Sequence, residues 1–380
     1  MIKIEKTPYY SYCIGSLPKG CELCVQGLKS VFFITGLCSK TCFFCPISDH
    51  KRFKDVVYVN ERPTFEDKEI IKEIKLCSSK GVGITGGDPL LRTARLEHYI
   101  ELFKKTFGTR FHLHMYIPLN HVLKVNMKSL YKLGLDEIRF HPDLDLKYEW
   151  ERILQAKKYD WDIGIEIPVV PKKEKEIKEL IDYVSDKADF INLNELELSD
   201  TNFNKILAEG YRAKNEISYG VKGSEELALK LMEYIIEKKY KLSAHYCTTT
   251  LKDRIQLAGR LKRRAKNVKK AYDIMTEEGL LIRGAIYLKE LEPGFAYRKK
   301  LAELTDKQKK ELAEKLEKLK ERLRNSHKIP AKFIGIDHVK YRILLDTIIL
   351  QEIKDEIDYK CAIVTEFPTY DMFEVQVDFL

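Results

Sequence analysis

From about residue 31 the chain alternates short β-branched or aromatic runs with charged stretches of helical spacing, and no other feature restricts its fold so strongly. Strand patterns fall at SVFFITG (30–36), GVGITGG (81–87), FHLHMYI (111–117), EIRFHP (137–142), IGIEIPV (163–169) and FINLNELEL (190–198). Between them FEDKEIIKEIKLCSSK, RLEHYIELFKKTFG, NMKSLYKLG, YEWERILQAKKY and EKEIKELIDYVSDKA place apolar residues at helical spacing and charges elsewhere. Right-handed β–helix–β crossovers repeated in this way curl a parallel sheet towards a full or partial barrel, with chemistry at the carboxyl ends of the strands. The expectation is an α/β fold built on a partial (β/α)6 TIM-like barrel.

After residue 200 the rhythm changes. A helix near 223–239 leads to a strand ending in SAHYCTTT, the basic stretch LKDRIQLAGRLKRRAKNVKKAYDIM and a strand GLLIRGAIYL. The helix LTDKQKKELAEKLEKLKERL then sets Leu312, Leu316, Leu319 and Leu323 on one face. Residues 331–380 read as strand, helix and hairpin. The expected division is a Cys-rich extension at 1–29, the barrel at 30–220, an extension at 221–295 and a small α+β domain at 296–380. No apolar run approaches the ~18 residues of a membrane span, and MIKIEKTPYYSYC lacks a signal-peptide core, so a cytoplasmic chain is expected. Lys and Arg number 67 against 58 Asp and Glu, a formal charge of +9 that permits a phosphate-bearing partner without demanding one. Many Lys and Glu residues would also suit a thermophile.

Nine cysteines in such a chain point to metal or redox chemistry rather than disulfides, and six of them precede residue 50. In GLCSKTCFFCPIS, Cys38, Cys42 and Cys45 stand as C-x3-C-x2-C, with Phe44 just before the third, in the loop at the carboxyl end of the first strand. A closed structural site wants four ligands. Three thiolates on a four-iron cluster would leave one iron open, much as a catalytic zinc keeps one position free; three close cysteines are also most of a zinc knuckle.

This spacing in this position resembles the radical S-adenosylmethionine (radical SAM) superfamily. The resemblance implies that Cys38, Cys42 and Cys45 hold a [4Fe–4S] cluster whose open iron chelates the amino and carboxylate groups of SAM. An external reductase, ferredoxin or flavodoxin would then supply the electron that cleaves SAM to methionine and a 5′-deoxyadenosyl radical. GITGGDP resembles the GGE motif such proteins carry after strand two, so Gly86, Gly87, Asp88 and Pro89 are expected at SAM beside Phe44, with Asp88 where the family usually has Glu. Glu166 on strand five and Asn192, Asn194 and Glu195 on strand six are candidates for the ribose and adenine, since alternate residues face one side; capping and ion pairing are their other uses. More narrowly, KSVFFITGLCSKTCFFCPIS, GITGGDPL, DEIRFHP, NLNELE and HYCTTTLKDRIQL look like an archaeal radical SAM group described as related to the activating enzyme of pyruvate formate-lyase. The barrel is thus expected to be of the radical SAM type.

Cys13, Cys21 and Cys24 form a second set, C-x7-C-x2-C, and HYC supplies Cys247. These four suit an auxiliary [4Fe–4S] cluster, with His245 as an alternative fourth ligand; zinc or free thiols are the other readings. Cys77 and Cys361 read as small buried residues. His112, His114 and His141 read first as satisfied structural histidines. Arg260, Arg263, Arg264 and Lys266 lie on a basic helix that would face RNA phosphates or simply water, and Arg283 suits a carboxylate or phosphate. Three functions follow: a radical SAM enzyme modifying a macromolecule, with RNA or tRNA favoured; the same chemistry on a protein, lipid or metabolite, as in glycyl-radical activation; and a nonenzymatic zinc or iron–sulfur protein that binds nucleic acid.

Overall fold

The run KSVFF opens a large parallel sheet in the computed structural model, which describes residues 3–380. Seven parallel strands follow in chain order: β1 (Lys29–Phe33), β2 (Gly81–Thr85), β3 (His112–Pro118), β4 (Glu137–His141), β5 (Asp162–Val169), β6 (Phe190–Glu195) and β7 (Ser243–Cys247). Each pairs with the next, so sequence neighbours are spatial neighbours throughout. The result is a mixed α/β architecture compatible with the expected barrel type. Antiparallel pieces cover both edges: Tyr58–Val59 on β1, and Tyr12–Ile14 on β7.

The register decides which side chains meet. Glu166, Asn192 and His245 stand opposite one another across β5, β6 and β7, and Cys13 stands opposite His245. Paired residues share a face, so all four look the same way.

Helices α1 (Lys19–Val25), α2 (Asp67–Leu76), α3 (Thr93–Phe107), α4 (Met127–Lys132), α5 (Glu174–Val184) and α6 (Ser224–Glu237) account for the amphipathic stretches. In α5, Ile177, Leu180, Ile181 and Val184 are all buried, each stabilising the fold by roughly 1.5–3 kcal/mol. The stretch YEWERILQAKK forms a 3₁₀ helix over Lys147–Lys158. Its buried Trp150, Ile153 and Ala156 recur every third residue, the 3₁₀ period, so tight winding keeps all three on the core.

The chain forms two compact units that meet in sequence at Arg260 and Leu261, inside helix α7 (Ala258–Val268). In the second unit a sheet of β8 (Leu281–Tyr287), β9 (Ile334–Asp337), β10 (Arg342–Leu345), β11 (Lys360–Glu366) and β12 (Glu374–Phe379) runs β9-β10-β8-β11-β12, every pairing antiparallel. Helix α8 (Asp306–Ser326) starts at a Thr305–Gln308 capping box and buries Leu312, Leu316, Leu319 and Leu323 as its periodicity predicts. This division differs from the expected one. β8 is the middle strand of the second sheet, so residues 261–295 belong with 296–380, and the N-terminal segment supplies an edge of the first sheet. Arg283 ends buried against Asp273 (2.9 Å) and Glu366 (3.6 Å), an internal pairing that corrects its reading as a ligand contact.

Candidate active site

β1 ends at Phe33, and the chain then doubles back at Gly36. Its N–H donates to Lys54 O (2.8 Å), and Phe53 N–H donates to Gly36 O (2.8 Å). A Cβ on Gly36 would lie 1.6 Å from Lys51 O, so only glycine lets the ends of this loop close. The closed loop carries Cys38, Cys42 and Cys45, all partly exposed. Cys45 N–H donates to Cys42 O (3.2 Å) and Lys40 N–H to Cys38 Sγ (3.4 Å). At its base Thr35 Oγ1 donates to Asp55 (2.9 Å), which Arg92 and Arg95 clamp at 2.8 and 2.7 Å. The hydrogen bond from Arg95 is the main reason Asp55 titrates well below the usual carboxylate range.

The loop after β2 is laced to this one. Gly87 N–H donates to Thr35 O (2.8 Å) and Asp88 N–H to Leu37 O (2.7 Å). A Cβ on Gly86 would meet Thr35 O at 2.4 Å, and one on Gly87 would meet Leu37 O at 2.3 Å and Cys38 Cβ at 2.8 Å. The glycine pair is therefore what lets the second loop touch the first.

One cavity of about 360 Å³ is lined by Cys38, Cys42, Phe44, Cys45, Gly86 and Gly87 together with Tyr116, Arg139, His141, Glu166 and Asn194. Arg139 Nη1, Asn192 Nδ2 and Asn194 Nδ2 donate to Glu166 at 2.9, 2.9 and 3.0 Å. Burial alone would raise the Glu166 carboxyl, but Arg139 and the two amides outweigh it and lower its pKa. His141 Nδ1 pairs with Glu166 O (2.8 Å), and its ring stands 5.7 Å from that of Phe44.

No protein-family model matches the chain. A curated Methanocaldococcus jannaschii protein described as "putative glycyl-radical enzyme activating enzyme" is 43% identical over 291 residues, 74% of this chain and 76% of the relative. The chain belongs to the radical SAM enzymes.

A radical SAM enzyme implies a [4Fe–4S] cluster and SAM, and the cavity residues fit such a group. The thiols stand on one loop, and the cavity's carboxylates already have partners: Glu166 as above, Glu195 with Thr249 N–H (2.8 Å) and Glu197 with Lys252 (2.9 Å). Three thiols with no spare carboxylate make an incomplete donor set of the kind an open iron needs. Burial first, then the neighbouring Cys45 and Cys38, push the Cys42 thiol up to about 11. Bound cationic iron would offset that penalty. Among the described residues no three cysteine sulfurs lie within 4.8 Å of one another, whereas sulfurs on one tetrahedral zinc stand ~3.8 Å apart.

The structure moves several expected contacts. Asp88 is fully buried and outside the cavity lining; its Oδ1 accepts from Leu90 N–H (3.0 Å) and its Oδ2 pairs with His121 Nδ1 (2.6 Å). With Pro89 it starts the turn Pro89–Arg92, Asp capping and Pro supplying the first helical φ, so this pair shapes the glycine loop from behind. Asn192 also lies outside the lining, between Glu166 and Cys21 Sγ (3.5 Å), and Glu195 caps Thr249. Arg260 is buried on Glu61 and Arg264 is buried too, which corrects their reading as a solvent-facing phosphate surface; Arg263 is partly buried and Lys266 exposed.

Of the second cysteine set, Cys21 and Cys24 lie on α1 and Cys247 on β7, where Cys247 packs with Val25 and Leu251; Cys21 Sγ is 3.5 Å from Arg139 Nη2. Burial dominates the upward shift of Cys21, to about 12, with Cys24 among the lesser causes. Cys13 is raised by burial and then by Glu5. Cys77 and Cys361 are buried. His141 is hydrogen-bonded as expected, but His112 Nε2 and His114 Nδ1 are buried without a hydrogen-bond partner, as are both ring nitrogens of His245.

Tyr116 and Arg139 were missed by sequence reasoning. Their signal was the run of polar residues at alternate positions of two core strands, His112, His114 and Tyr116 on β3 and Glu137, Arg139 and His141 on β4.

Proposed function

We propose that this radical SAM enzyme installs a glycyl radical on a partner protein, with Cys38, Cys42 and Cys45 as ligands of its [4Fe–4S] cluster. The observation that carries the cluster assignment is the shared cavity: three thiols, a glycine pair in contact with their loop, and a hydrogen-bonded polar floor with no uncommitted carboxylate. The partner class rests on the relative's description as an activating enzyme. When bound, the cluster supplies the electron that cleaves SAM to methionine and a 5′-deoxyadenosyl radical.

The chain's own residues then have distinct tasks. Gly86 and Gly87 offer backbone in place of side chains, so they would hold the methionine end of SAM against the main chain. Glu166, kept anionic, and Asn194 would offer acceptor and amide groups to the ribose and adenine. Phe44 and His141 form an aromatic wall beside Cys42 and Cys45. Hydrogen removed from a glycine Cα of the partner yields 5′-deoxyadenosine and the glycyl radical, with one electron consumed from an external reductant. The burial of Arg260 and Arg264 leaves the RNA reading without its main feature.

The test is anaerobic reconstitution with iron and sulfide, iron counting, and electron paramagnetic resonance of the reduced protein with and without SAM. A SAM-dependent shift, followed by a glycine-centred doublet on a co-expressed glycyl-radical protein, is the expected result. Absence of the shift overturns the cluster assignment; a shift without the doublet overturns the protein substrate.

A further inference from the structure

Among the described residues, one set of three metal-ligand side chains closes to within 4.8 Å at its ligand atoms: His112, His114 and Glu137, all buried. They stand on β3 and β4 beneath α1, outside the cavity lining but joined to it by hydrogen bonds to Tyr116 and Arg139. We propose that these three side chains bind one divalent transition-metal ion of the zinc type. Two independent features point to a ligand. His112 Nε2 and His114 Nδ1 have no hydrogen-bond partner although the residues are 8% and 1% exposed, a cost a metal–nitrogen bond would remove. Each ring's other nitrogen is already held from outside, His112 Nδ1 by Lys29 Nζ (2.7 Å) and His114 Nε2 by Tyr116 Oη (2.8 Å). These contacts hold both rings in place.

The surroundings are cut to this cluster. Glu137 is fully buried; Gly20 N–H and Arg139 Nε donate to it at 2.9 and 2.5 Å, and its Oε2 faces His112 Nε2 at 3.5 Å. A Cβ on Gly20 would stand 2.7 Å from His114 Nδ1 and 2.8 Å from Glu137 Oε1, and one on Gly83 would stand 2.7 Å from His114 Nε2. Glycine at both positions leaves the group its space. Lys29 Nζ also donates to Val82 O (3.2 Å) and His112 O (2.9 Å), which fixes it beside His112 Nδ1. Two imidazoles and a carboxylate suit zinc or iron(II), with a position left for another ligand.

The inference is independent of the reaction at the cavity. Zinc chloride alone is added to the full chain, reconstituted with its iron–sulfur cluster, and the retained ion is counted and probed by zinc-edge X-ray absorption. One zinc per chain with only nitrogen and oxygen neighbours, at about 2.0–2.1 Å, is expected. H114Q and E137Q should each weaken zinc binding at least tenfold while melting as folded proteins. No retained zinc in the wild type, or sulfur in its shell, overturns the proposal. The wild-type spectrum decides the matter even where a variant does not fold.

Discussion

Gly87→Ala is the most informative change at the cavity, because its effect follows from contacts that cannot yield cheaply. The new Cβ would meet Leu37 O at 2.3 Å and Gly36 O and Cys38 Cβ at 2.8 Å, where ordinary contact begins near 3.4 Å. Two of these atoms are backbone, and Gly36 is itself fixed by hydrogen bonds at its N–H and its carbonyl. Relief therefore needs 3.4 − 2.3 Å, a separation of about 1 Å between the glycine loop and the cysteine loop. Overpacking of this kind costs ~1–3 kcal/mol of stability, and misplacing reacting groups by ~1 Å can cost ~10²-fold in rate. The assay is 5′-deoxyadenosine release under dithionite, alongside iron content and a thermal melt. Near-normal iron with a rate down about 10²-fold is expected, since no thiol is lost. Wild-type turnover in a folded Gly87→Ala protein would refute the claim that this close approach positions SAM.

Other perturbations separate the remaining parts. Cys42→Ala should lose the cluster iron and SAM cleavage, whereas Cys21→Ala, whose thiol lies with Asn192 and Arg139, should retain the SAM-responsive signal; iron counting and paramagnetic resonance compare them. Asp88→Ala should lower the melting temperature through loss of a cap worth ~1 kcal/mol and of the His121 pairing, while Asp88→Asn, which keeps an acceptor for Leu90 N–H, should recover part of it. Asp55 titrates below its unfolded value, so its stabilisation is complete above that value, near pH 4, and is lost as pH falls through the folded one. Denaturant melts of Asp55→Asn should accordingly show a flatter acid limb than wild type; an unchanged limb would refute the linkage.

The parallel strands and most helices were legible because burial on one side imposes a period, and a period survives in one dimension. The 3₁₀ winding of Lys147–Lys158 was not, although its every-third-residue burial is visible once known. At the cavity, cysteine spacing and the glycine pair were local signals, and the structure brings both loops to one cavity. The cap that Asp88 makes was not legible, because a carboxylate beside two glycines has the same spelling whether it faces a ligand or caps the turn behind them.

By itself the sequence determined the α/β alternation, the three-cysteine loop at the first strand and the helix of four leucines in the second unit. Those depend on residues close in the chain. Tertiary structure alone decided that Arg139 would hold Glu166, that Arg260 would be spent on Glu61, and that His112, His114 and Glu137 would converge under α1. Each joins residues from different elements through sheet register and packing, and none of the three is encoded in the spacing of any single stretch.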